Sequence, residues 1–220
     1  MSKSKTVYDS IVNQGILPLY FNADETVSVE ILKSLYRAGI KAIEYTNRGE
    51  KAANNFKKLI EVRNAEMQDL LIGIGTVKNL NQSKQFLELG ADFLVSPGFV
   101  LEIAEYAVAN DIFYAPGCMT PSEIIAAENA GVKFIKLFPG NILGVEFMST
   151  IKDVFPNLSF MPTGGVDTTK ESIESWYKAG VVSVGMGSKL VSKSLMENKD
   201  YAAIQNNTAA VLEIIRTIKH

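Results

Sequence analysis

Imidazole and thiol, the usual catalytic and metal-binding groups, are scarce in this chain: it has one histidine and one cysteine. The histidine is His220, the last residue, where fraying is the expectation for a chain end. A Ser-His-Asp triad would need a different histidine, and a histidine-rich catalytic metal site cannot be built. Cys118 has no partner for an internal disulfide, and a cysteine-rich zinc site is excluded as well. The chemistry expected is therefore carried by lysine, carboxylates, hydroxyls and backbone groups, with no metal.

Other absences narrow the class further. The longer apolar stretches are broken by Gly, Pro or charge well short of a membrane span. The opening stretch MSKSKTVYDS lacks the apolar core and cleavage site of a secretory signal. With a net charge of −2 and a pI of about 5.6, nothing attracts a polyanion wholesale, so neither nucleic acid nor membrane is an expected partner. No low-complexity segment or linker divides the sequence. A hydrophobic content of 47% against 21% charged residues is that of a folded protein. At 220 residues, one cytoplasmic enzyme domain spanning 1–220 is expected.

What is present is a recurring pattern. An amphipathic stretch ends in a small residue and Gly, and a short apolar run follows: RAGIKAIEY (37–45), ELGADFLVS (88–96), NAGVKFIKLF (129–138) and KAGVVSVGMG (178–187). In each, Gly reads as the left-handed stop of a helix and the apolar run as a buried strand. Val27, Ile31 and Leu35 fall on one helical face, as do Ile204, Thr208, Val211, Ile215 and Ile218. Thr120-Pro121-Ser122-Glu123 reads as a capping box with Pro at the first helical position. Strands are expected near 16–21, 41–46, 71–76, 92–96, 112–115, 133–138, 158–162 and 182–185. Eight strands alternating with helices predict an α/β fold, a (β/α)8 TIM barrel. A doubly wound open sheet is the rival, disfavoured because no G-x-G-x-x-G follows an early strand.

Active sites of such barrels lie at the C-terminal ends of the strands, and four places there stand out. In Phe134-Ile135-Lys136-Leu137-Phe138, alternation puts Lys136 on the face of Phe134 and Phe138. If that face points inward, lost hydration favours the neutral, nucleophilic amine; the alternative is a lysine whose stem lies along exposed apolar surface. In Glu44-Tyr45-Thr46-Asn47-Arg48, Glu44 and Thr46 share a face. The carboxylate suits proton transfer and the guanidinium suits a substrate carboxylate; a purely structural ion pair is the alternative. Gly73-Ile74-Gly75-Thr76 would let a ligand or backbone approach closely and adds a hydroxyl, although tight strand packing explains such glycines equally. Finally, Pro162-Thr163-Gly164-Gly165-Val166 follows the seventh strand and Gly185-Met186-Gly187-Ser188 the eighth, where these barrels commonly bind phosphate through backbone N–H groups and a helix N-terminus. Two ordinary glycine turns are the alternative.

The segments IEYTNR, GIGTV, VSPG, APGCMTPSE, FIKLFP, PTGGV and GMGS occur in one order between about Gly15 and Val191. In that order and spacing the chain resembles the 2-keto-3-deoxy-6-phosphogluconate (KDPG) aldolase family, which includes 4-hydroxy-2-oxoglutarate aldolases. The resemblance implies a class I aldolase, using no metal or cofactor, on a TIM barrel that is usually a homotrimer. It implies a phosphorylated keto-acid substrate, cleaved to pyruvate and glyceraldehyde 3-phosphate. Lys136 matches the Schiff-base lysine and Glu44 the general acid/base. Arg48 and Thr76 match the residues holding the pyruvate-derived carboxylate, while Pro97 and Phe138 match the lining of that pocket. Thr163 matches a hydroxyl near the middle carbons; Gly164, Gly165, Gly187 and Ser188 match the phosphate site. Three segments depart from the family's pattern. They are Leu19-Tyr20-Phe21-Asn22, where some members carry Arg, Asn47 and Gly49 flanking Arg48, and Gly140-Asn141-Ile142-Leu143-Gly144. They bear on which substrate is preferred among KDPG, its galactonate epimer and 4-hydroxy-2-oxoglutarate. A phosphosugar isomerase or epimerase using the same acid–base pair, and a catalytically silent binding barrel, are the other readings.

Overall fold

The computed structural model describes residues 2–219; Met1 and His220, the chain end expected to fray, lie outside the described residues. The strands are β1 (Ile16–Tyr20), β2 (Ala42–Thr46), β3 (Leu71–Gly75), β4 (Phe93–Val95), β5 (Phe113–Ala115), β6 (Gly117–Cys118), β7 (Phe134–Leu137), β8 (Ser159–Pro162) and β9 (Val184–Met186). All their pairings are parallel. The fifth expected strand, 112–115, forms as β5, and a short further strand, β6, follows it beyond Pro116, which has no N–H to give to the ladder. The Pro116 carbonyl still accepts from the Lys136 N–H at 2.9 Å.

The strands form a six-stranded arc, β5-β4-β3-β2-β1-β9, and a three-stranded arc, β6-β7-β8. Pro116 joins them on one side. On the other, the Val182 N–H donates to the Phe160 carbonyl at 3.1 Å and Thr163 bridges to Gly185. The sheet thus curls into the expected TIM barrel.

Around it run α1 (Lys3–Gln14), α2 (Glu25–Arg37), α3 (Ala52–Glu66), α4 (Leu80–Glu88), α5 (Leu101–Ala109), α6 (Pro121–Asn129), α7 (Gly140–Val154), α8 (Lys170–Lys178), α9 (Lys193–Glu197) and α10 (Tyr201–Lys219). Gly39, Gly90, Gly131 and Gly180, the four expected helix stops, all have positive φ, between 88° and 106°. The Thr120–Glu123 capping box forms as expected, with both reciprocal bonds present. Val27, Ile31 and Leu35 are buried on α2; Ile204, Thr208, Val211 and Ile215 are buried on α10, with Ile218 half-buried. No helix among the described residues is long and apolar enough to cross a membrane.

Strand alternation sorts the apolar residues into two cores. Ile16, Ile43, Tyr45, Ile72, Ile74, Ile135, Leu137, Phe160 and Val184 face outward and pack under the helices. Leu17, Ala42, Phe93, Val95, Phe113, Ala115, Phe134 and Met161 face inward and fill the barrel. Helix α1 is the element the sequence reading did not anticipate. It closes the N-terminal end of the barrel by inserting Val7 and Ile11 into the inner core, and Tyr8 stacks edge-on against Phe134 at 6.0 Å. The polar residues between those apolar ones conceal the i, i+4 stripe of Val7 and Ile11.

Candidate active site

The inner core supplies a dry floor, and the site stands on the next inward layer. Glu44 lies two residues beyond Ala42 on β2, and Lys136 two beyond Phe134 on β7, so each points the same way as its buried predecessor. Their strands lie on opposite sides of the barrel, and the side chains meet in the middle with Lys136 Nζ 3.6 Å from Glu44 Oε1. Both side chains are at least 94% buried. The lysine is therefore not on an exposed strand face. Its ammonium lies 5.3 Å from the Phe138 ring centroid, against an aromatic wall.

At 3.6 Å the pair is an ionic contact that exceeds hydrogen-bond length. Neither carboxylate oxygen of Glu44 has a hydrogen-bond partner among the described residues, although both are buried. Burying a carboxylate without donors is costly, and a structural ion pair would close to about 2.8 Å with its remaining lone pairs satisfied. Glu44 is held instead as an acceptor open to a third group. The Thr163 hydroxyl at the end of β8 is likewise buried and unpartnered.

The glycines of β3 explain how Glu44 reaches its position, and of the two readings open for them they follow the tight-packing one. A Cβ on Gly75 would come within 2.5 Å of Glu44 Cδ and 2.7 Å of its Cγ, so that space already holds the carboxyl group. Gly73 likewise accommodates the ring of Phe93. Immediately after, Thr76 has φ 62°, a left-handed conformation that β-branched residues rarely adopt. It turns the chain off β3 at the rim of the site, a place where backbone strain is often held for function.

These groups line one cavity of about 340 Å³ at the C-terminal mouth of the barrel. Lys136, Glu44, Arg48, Thr76, Pro97, Phe138, Thr163, Gly164, Gly187 and Ser188 all contribute to its wall. Gly165 does not. Its φ of 77° forms the turn after β8, and a Cβ there would run into Asn141 at the start of α7. The loop after β9 is a short turn in which the Leu190 and Val191 N–H groups both donate to the Gly187 carbonyl. A long helix does not follow directly; the five-residue α9 starts only at Lys193.

Four wall residues were not singled out as site candidates by sequence: Leu19, Tyr20, Thr46 and Lys78. Thr46 was findable, since it shares a face with Glu44; its hydroxyl donates to the Tyr20 carbonyl at 3.3 Å. Lys78 lies beyond the left-handed turn at Thr76, where two-residue alternation carries no information. A second cavity of about 350 Å³ opens beside α1 at the other end of the barrel, but its charged lining residues, Lys5, Asp111 and Lys133, are all exposed. Cys118 is no alternative nucleophile, because burial, with the nearby Glu123 charge, pushes its thiol up to about 12. Among the described residues no three His, Cys, Asp or Glu side chains gather where they could hold a metal ion.

A parallel barrel with a buried lysine and an unsatisfied carboxylate meeting at its C-terminal mouth has the layout of a TIM-barrel enzyme. The particular family follows from comparison: residues 7–207 match the model of the KDPG and KHG aldolases, and the chain belongs to that family. It is an aldolase, and so a lyase. The KHG/KDPG aldolase of Escherichia coli K12 is 30% identical over 206 residues, covering 93% of this chain and 94% of that protein. The 2-dehydro-3-deoxy-6-phosphogalactonate aldolase of the same strain is 33% identical over 121 residues, covering 54% of this chain and 58% of that protein. Among solved structures, the KDPG aldolase of Legionella pneumophila with pyruvate captured as a covalent carbinolamine superimposes with a TM-score of 0.84 at 28% identity. That match covers 92% of this chain and 96% of the Legionella chain.

Proposed function

We propose that this enzyme cleaves KDPG reversibly to pyruvate and glyceraldehyde 3-phosphate through a Schiff base on Lys136. The observation that carries the reading is the buried pair itself: an amine on an apolar floor, 3.6 Å from a carboxylate whose oxygens have no other partner. The carbinolamine captured in the Legionella relative supports covalent chemistry of this kind at such a site.

In this mechanism Glu44 first takes a proton from Lys136, and the freed amine attacks the C2 carbonyl of the keto acid, whose oxygen picks up a proton from the attacking nitrogen to give a carbinolamine. Glu44 delivers a proton to the departing hydroxyl, water leaves, and an iminium remains. The Glu44 carboxylate then takes the C4 hydroxyl proton, directly or through water. The C3–C4 bond breaks, its electron pair moves into the iminium, and the aldehyde departs. The resulting enamine is protonated at C3, and hydrolysis of the iminium returns pyruvate and free Lys136. Arg48 and Thr76, at the ends of β2 and β3, hold the C1 carboxylate. Thr163 meets the middle carbons with its unpartnered hydroxyl. Gly164, Gly187 and Ser188 receive the phosphate across the mouth, while Gly165 shapes the β8 turn beneath it.

The homotrimer remains our reading of the assembly. Leu101 and Val108 on α5, Met119 just before α6 and Ile125 on α6 are large apolar residues left 40–53% exposed on two packed neighbouring helices, as a subunit interface would require. The substrate assignment is tested by comparing kcat/KM for KDPG, its galactonate epimer and 4-hydroxy-2-oxoglutarate. KDPG should lead; a galactonate substrate preferred tenfold or more would reassign the enzyme within its family.

A further inference from the structure

The charges around the cavity do not balance. Its wall carries Lys136, Arg48 and Lys78 against a single acid, Glu44, and Lys136 already faces that acid. Arg48 and Lys78 are both exposed, and neither forms an ion pair among the described residues. Other lysines near carboxylates do pair, including Lys189 with Asp167 at 2.7 Å beside the phosphate loops.

The two unpaired cations stand on one side. Arg48 follows β2 and Lys78 follows β3; these strands are neighbours in the sheet, and both cations line the same cavity as Thr76. The glycine loop after β8 is on the far side of the mouth from β3, and the loop after β9 is separated from β2 by β1. The Lys78 backbone is anchored, its N–H donating to Gln82 Oε1 at 2.9 Å in the first turn of α4. The rim cation therefore sits on a held turn.

We propose that Lys78 is a second cation for the carboxylate of the keto acid, sharing that anion with Arg48 and setting the affinity for the pyruvate half of the substrate. This rests on the Schiff-base aldolase reading. Arg48 supplies the directional, two-pronged contact, and Lys78 adds an ammonium point charge from the neighbouring strand. Its role is binding and specificity, since its position is on the rim, away from the buried pair.

The test uses the whole enzyme as wild type, K78M and K78R. Each is incubated with graded pyruvate and trapped with sodium borohydride, and the adduct on Lys136 is quantified by mass spectrometry. K78M should raise the half-saturating pyruvate concentration roughly three- to tenfold, the range for a partly exposed charge contact. Saturating pyruvate should still label Lys136, K78R should restore most of the affinity, and 0.5–1 M salt should shrink the wild-type advantage (order-of-magnitude ionic strengths at which screening reaches a few ångströms). In the condensation direction, KM for glyceraldehyde 3-phosphate should move less than that for pyruvate. An unchanged pyruvate dependence in K78M would show a merely solvated lysine, and a shift confined to glyceraldehyde 3-phosphate would move Lys78 to the phosphate end; either overturns the proposal. A wild-type enzyme that forms no adduct at all overturns the aldolase reading and this assignment with it.

Discussion

Adding one methyl group at Gly75 should disable the enzyme by displacing the Glu44 carboxyl group. Ordinary carbon–carbon contact is about 3.5–4.0 Å, yet a Cβ at residue 75 would lie 2.5 Å from Glu44 Cδ and 2.7 Å from Cγ. Relief requires the carboxyl group or strand β3 to move by about 1 Å. A misplacement of that size costs about 100-fold in turnover, or roughly 2.7 kcal/mol of barrier. Overpacking should also cost about 1–3 kcal/mol of stability, a fall in Tm of roughly 2–12 °C for a chain of this size. The assay is kcat for Gly75→Ala beside a melting curve, with borohydride trapping of pyruvate as the control. Trapping at Lys136 should persist at saturating pyruvate, though more slowly, because the amine stays in place while the carboxyl that protonates the departing hydroxyl is displaced. A folded Gly75→Ala enzyme with kcat within about threefold of wild type, where the position argument asks for about 100-fold, would refute the claim that this glycine positions the carboxylate.

Three other outcomes follow from the same geometry. Glu44→Gln should stay folded and lose roughly 10²–10⁴ in turnover, the usual range for lost general acid–base catalysis; kcat near wild type would move the proton transfer elsewhere. Ser188→Glu should place a carboxylate against the substrate phosphate and raise KM for KDPG sharply. It should cost 4-hydroxy-2-oxoglutarate far less, and equal losses in a well-folded variant would put the phosphate elsewhere. Ile11→Ala, in the plug formed by α1, should lower stability by about 2–5 kcal/mol in a denaturant titration. A change under about 0.5 kcal/mol, the usual scatter of surface substitutions, would mean that the plug contributes little.

The barrel was legible because its punctuation is local. Gly39, Gly90, Gly131 and Gly180 end helices in the left-handed region, and the apolar runs after them can only be buried strands. Strand alternation made it legible that Lys136 shares a face with Phe134 and Glu44 with Thr46, but whether those faces point into the barrel was left open. What sequence could not show was distance across the barrel. That β2 and β7 bring their side chains to 3.6 Å depends on closure of the whole sheet. The same holds for Gly73 and Gly75, whose missing side chains are filled by Phe93 and Glu44 rather than by a ligand. Gly165 lay in the right loop, but its turn faces Asn141, and loop direction has no period to read. Helix α1 escaped notice because two apolar residues among polar ones make a weak signal until the barrel end they close is known.

The central claim is that Lys136 forms the covalent bond. Incubation with pyruvate and sodium borohydride, followed by peptide mass mapping, tests it most directly. The account predicts irreversible inactivation with the reduced pyruvate adduct on Lys136; an adduct on another lysine, or none from an enzyme that is active in aldol cleavage, would contradict it.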